Sequence, residues 1–70
     1  KDYKMNVRLF IEWCNAHATL TDGQSSIQDL VDSFNRHSTY AINAEMMRYY
    51  LSAACNVEIQ SEVVVGVRLK

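Results

Sequence analysis

The chain has 70 residues, 49% of them hydrophobic and 21% charged, with a formal net charge of −1, two glycines and no proline. This composition fits one small globular domain and excludes a disordered segment, which would carry too little apolar surface to offset chain entropy. No apolar run approaches the roughly 18 residues of a membrane-spanning helix, and the charge balance excludes a polybasic nucleic-acid arm or an acidic tail.

A first helix is predicted from about Lys4 to Ala18. Val7, Phe10, Ile11, Cys14 and Ala18 form one apolar stripe at helical spacing. Leu9, Trp13, Ala16 and Leu20 form a second, nearly opposite, with Arg8, Glu12 and Asn15 in the polar wedge between them. A surface helix needs only one stripe, so this one is either central or presents a face to a partner. Thr21-Asp22-Gly23-Gln24-Ser25 is rich in turn formers and reads as a loop. Ser26 then caps a second helix, with Asp29 three residues on. Ile27, Leu30, Val31 and Phe34 give it a single inward stripe, while Gln28, Asp32, Asn35 and Arg36 face away.

Residues His37 to Ile42 turn the chain. Asn43 is a favoured N-cap for a third helix, and Glu45 in its first turn complements the helix dipole. Met47, Tyr50, Leu51 and Ala54 point inward; Glu45, Arg48, Tyr49, Ser52 and Asn56 point outward. Asn56-Val57-Glu58-Ile59, a turn at Gln60-Ser61-Glu62, and the run from Val63 to Lys70 complete a β-hairpin. In its last strand Val63, Val65, Val67 and Leu69 alternate with Val64, Gly66, Arg68 and Lys70, the period of a half-buried strand. The expected fold is a small α+β domain, three helices followed by a C-terminal hairpin. At this length it buries only about 60% of its unfolded surface, for a stability on the order of 4–10 kcal/mol.

The pieces Val7-Arg8-Leu9-Phe10-Ile11-Glu12-Trp13-Cys14, Ile27-Gln28-Asp29-Leu30-Val31-Asp32-Ser33-Phe34 and Val65-Gly66-Val67-Arg68-Leu69-Lys70 resemble the winged-helix module of RFX-type transcription factors and of the C-terminal ends of pox-type viral and phage primase–helicases. The resemblance implies binding of duplex or single-stranded DNA through helix three, the wing, or both, as an accessory domain of a larger replication or transcription protein. Asn43, Arg48, Tyr49 and Ser52 would then read base edges, and Arg68 and Lys70 would hold phosphates. Family surfaces of this kind are usually basic. Here Glu45, Glu58 and Glu62 balance Arg48, Arg68 and Lys70, so binding is expected to be weak and salt-sensitive. The alternative is a protein contact through Leu9, Trp13, Ala16 and Leu20, a tryptophan-centred apolar patch suited to a hot spot.

Cys14, His17, His37 and Cys55 are the right ligand types for zinc, but their spacing matches no known zinc pattern, so no metal or other cofactor is expected. The two cysteines read first as small buried thiols of a reducing, intracellular compartment (cytoplasm or nucleus), and less readily as one bridge. No phosphate loop, His-Glu-x-x-His or nucleophile elbow is present, which points away from an enzyme. The chain starts at Lys1 with no signal-peptide pattern and is expected to be part of a larger protein or a processed chain.

Overall fold

The computed structural model of the chain describes residues 3–55 and 57–70, and the side chains of all these except residues 3–6 and Thr21. Three helices and three strands follow in the order α1 (Tyr3–His17), β1 (Ala18–Ser26), α2 (Ile27–His37), α3 (Ala44–Ala54), β2 (Glu58–Gln60) and β3 (Val63–Leu69). The strands form one antiparallel sheet in the order β1-β3-β2. The expected α+β class is therefore observed, with one strand more than the sequence suggested.

That strand is the main correction. Thr21 to Ser25, read as a loop, lie inside β1. Ala18 to Leu20 pair with Leu69 to Val67, and Gln24 to Ser26 pair with Val65 to Val63. Between these blocks Thr21, Asp22 and Gly23 lie opposite Gly66 alone. The turn formers mark a bulge, where extra residues leave the ladder without ending it. The pairing extends past both ends of the strand. The amide of Ile27 donates to the Glu62 carbonyl at 2.8 Å, and the amide of Lys70 donates to the His17 carbonyl at 3.0 Å. Both helices flanking β1 are thus tied to β3 or its turn.

The bulge also breaks the predicted alternation of β3. Gly66 has φ 107°, a conformation that costs an L side chain strain. The inward phase slips there: Val64 and Val67 are fully buried, and Val63 and Val65 are only half-buried. The hairpin turn is two residues long, Ser61 and Glu62, with Gln60 paired to Val63. Ser61 has φ 60°, and Glu62 does not have positive φ. A positive φ at the first turn residue alone is the type II′ pattern, whose twist suits a hairpin.

The core sits between the helices and the sheet. The α2 stripe is as expected, with Ile27, Leu30, Val31 and Phe34 all buried. Ser26 caps the helix through its hydroxyl, which accepts from the Asp29 amide at 3.0 Å. On α3, Met47, Tyr50 and Leu51 are buried, while Ala54 is exposed. On α1 the sequence places Ile11 inside, yet Ile11 is 43% exposed and Trp13 is 5% exposed. The tryptophan wins the position because its ring packs with Phe10 (centroids 5.6 Å) and Phe34 (5.8 Å), and its Nε1–H donates to the Ser33 hydroxyl at 3.1 Å. A buried indole needs such a partner for its polar end. Phe10 stacks on Tyr50 at 5.5 Å, so one run of aromatic rings joins α3, α1 and α2.

Candidate nucleic-acid interface

The outer face of α3 is built by its cap and its stripe. Asn43 Oδ1 accepts from the Met46 amide at 2.9 Å, satisfying one of the unpaired donors at the helix start. With Met47, Tyr50 and Leu51 held in the core, Glu45, Arg48, Tyr49 and Ser52 fall at i, i+3, i+4 and i+7 on the solvent side, and all four are exposed. Tyr49 is 39% exposed, its ring edge-on to Tyr50 at 5.6 Å. Asn56, expected on the same face, lies outside the described residues.

Arg48 links this face to the hairpin. Its guanidinium donates to the Ser61 carbonyl at 3.4 Å, a long contact that leaves most of its five donors available. Ser61, with its carbonyl turned toward α3, is the residue the sequence reading missed. The local signal was the short Gln60-Ser61-Glu62 turn, but nothing in the sequence shows where that turn docks.

The remaining cations lie elsewhere. Arg68 is exposed on β3 opposite Thr19, and its stem passes over Gly23, where an added Cβ would sit 3.1 Å from Arg68 Cδ. Lys70 Nζ donates to the Asn15 carbonyl at 3.2 Å near the C-terminal end of α1. Lys70 follows the end of β3 opposite the Ser61 turn, and seven strand residues at about 3.3 Å each span roughly 20 Å. Arg48, Tyr49 and Ser52 therefore form one patch beside the turn, Asn43 spends its oxygen on the cap, and Lys70 stands apart.

The other predicted face divides as well. Leu9 and Ala16 are exposed and line a groove of about 380 Å³ between α1 and the end of α2. Leu20, 57% exposed on β1, is not part of that groove. Trp13 contributes to the groove's floor, but its ring belongs to the core and cannot serve as a projecting anchor.

The four metal-type side chains separate into two pairs. His17 and His37 stack with centroids 3.8 Å apart and planes 17° from parallel, and His37 Nδ1 lies 3.0 Å from the Ser33 carbonyl, to which it donates as its Nδ1–H tautomer. Cys14 and Cys55 are free thiols, Cys14 buried and Cys55 half-buried. Burial pushes the Cys14 thiol up. Burial, and then the neighbouring Cys14, push Cys55 up to about 11. Among the described residues no three metal-ligating side chains converge, and no helix is long and apolar enough to cross a membrane. No family model, no curated protein and no solved structure matches the chain.

Proposed function

We propose that the chain is a winged-helix, DNA-binding accessory module of a larger replication or regulatory protein, of viral or mobile-element type, that docks α3 and the β2–β3 hairpin on nucleic acid. The observation that carries this reading is the exposed α3 stripe Arg48–Tyr49–Ser52 beside the Ser61 turn. A capped helix following another helix across a short connection is the layout of helix-turn-helix readers, in which the second helix meets the groove. Arg48 matches the acceptor pair of guanine, Ser52 takes either donor or acceptor, and Tyr49 offers a ring for stacking on an unpaired base. The hairpin turn lies within reach of the same backbone. Chemistry on the nucleic acid would be supplied by other parts of the parent protein.

Fluorescence anisotropy of labelled duplex and single-stranded DNA at low salt tests this. Arg48→Glu is expected to abolish binding and Tyr49→Ala to weaken it, while Leu9→Glu leaves it unchanged. Equal loss from Leu9→Glu, or no loss from Arg48→Glu, would reject the α3 surface. A second reading, protein contact through α1, is favoured by the groove beside Leu9 and Ala16. It predicts self-association or partner capture that Leu9→Glu alone disrupts.

A further inference from the structure

Two helices end at one place. α1 closes at His17 and α2 at His37, and the two terminal imidazoles stack with centroids 3.8 Å apart. Both residues border the groove beside Leu9 and Ala16, whose volume of about 380 Å³ is within the usual range of small-ligand clefts. A helix C-terminus carries roughly half a negative charge, and carbonyls that the helix itself leaves unpaired. A cation already exploits one of these ends: Lys70 Nζ donates to the Asn15 carbonyl at 3.2 Å. Lys70 and Arg36 line the other side of the histidine pair, where Asp29 and Asp32 balance them. On the groove side, Glu12 is the one formally charged residue among the described lining residues, and it is exposed. Glu12 and both helix ends therefore favour a positive ligand there.

The rest of the lining decides which cation fits. An ammonium would need only the carboxylate. A guanidinium uses more: its fork pairs with a carboxylate through two parallel N–H bonds, its plane stacks on aromatic rings, and its aliphatic stem packs on apolar side chains. The groove supplies the matching surfaces in Glu12, in the rings of Trp13 and His37, and in Leu9 and Ala16. We infer that this groove receives an arginine side chain from a segment of a partner protein. The inference rests on the reading of α1 as a protein-contact face, and it names what that face holds. Glu12 accepts from the guanidinium, His37 and the Trp13 floor give it a flat bed, and Leu9 and Ala16 cover the stem.

The isotope-labelled chain is titrated with the peptide acetyl-Gly-Arg-Gly-amide while backbone amides and the Trp13 indole N–H are followed by NMR. Saturable shifts are expected at Glu12, Ala16, His37 and the indole, in the millimolar range for a single side chain. The lysine peptide is expected to bind several-fold more weakly. The citrulline peptide, similar in shape but uncharged, is expected not to bind. Glu12→Gln changes an exposed residue and leaves the core intact; it is expected to lose the arginine shifts, whereas Arg48→Glu keeps them. Equal binding of the lysine and arginine peptides would overturn the inference, and so would shifts that survive Glu12→Gln. Guanosine monophosphate, whose base edge also presents adjacent N–H donors, is titrated in parallel. Tighter binding of the nucleotide than of the peptide in this groove would overturn arginine in favour of a nucleic-acid base. If the peptide gives no shifts while Leu9→Glu still abolishes self-association or partner capture, α1 remains a contact face and arginine is not what it holds.

Discussion

Single side chains carry several of the joints in this molecule. Asn35 is one: its Nδ2 donates to the Ile42 carbonyl at 3.1 Å, and its Oδ1 accepts from the Ile42 amide at 2.8 Å. That clamp closes the connection before α3 and so places Asn43 and the exposed stripe. Asn35→Ala leaves both backbone groups of a buried residue without their partner, which costs about 1–3 kcal/mol. Chemical denaturation should show that loss with an unchanged m-value. Cys55 gives a pH prediction. Its ionisation is raised from the ordinary 9.0 to about 11 in the folded chain. The unfolded state therefore binds fewer protons between those values, and the stability present below pH 9 is lost as pH rises from 9 through about 11. Melting curves across this window should fall more steeply for the wild type than for Cys55→Ser. Asn35 reads as a surface residue in the sequence because helical periodicity locates a face and not the loop that folds back onto it. Periodicity sets Trp13 opposite the Phe10–Cys14 stripe, while the small size of the domain favours burying its ring, and the ring is buried. Its hydrogen-bonding partner Ser33 lies on another helix, and an amphipathic pattern on α1 alone contains no trace of it.

At the scale of elements, the helices with strong caps and one stripe were legible, and the strand with a defect was not. Ser26 and Asn43 cap α2 and α3 as their residue types imply, and the α2 stripe is buried throughout. β1 was hidden because its middle, Asp22-Gly23, favours turns, and only pairing with β3 overrides that preference. The same bulge reverses the inward phase of β3, so strict alternation puts the valines in the right strand but partly on the wrong face. Gly66 is the pivot of this arrangement. Gly66→Ala forces an L side chain to φ 107° and should cost on the order of 1–3 kcal/mol. In a domain of this size each kcal/mol lowers the melting temperature by about 4–8 °C. A variant that melts at the wild-type temperature would remove Gly66 from this role.

For the whole molecule, the core was more legible than the surface. Apolar periodicity identifies what must leave water, and most of the predicted inward residues are buried. It does not bring surface residues together, and of the six proposed nucleic-acid contacts Arg48, Tyr49 and Ser52 share the exposed face of α3. With a net charge of −1 and Lys70 turned toward α1, few phosphates can be neutralised. At roughly −0.9 in log–log slope per phosphate, two or three contacts give a slope of about −2 to −3 and binding that fades at physiological salt. The account rests on an outward-facing α3 coupled to the hairpin turn, and the most direct measurement is an amide-shift titration of the labelled chain with short duplex and single-stranded DNA at low salt. The predicted result is a set of shifts centred on Arg48, Tyr49, Ser52 and Ser61 that diminishes as salt is added. Shifts confined to Leu9, Ala16 and their neighbours, or none at saturating DNA, would contradict it.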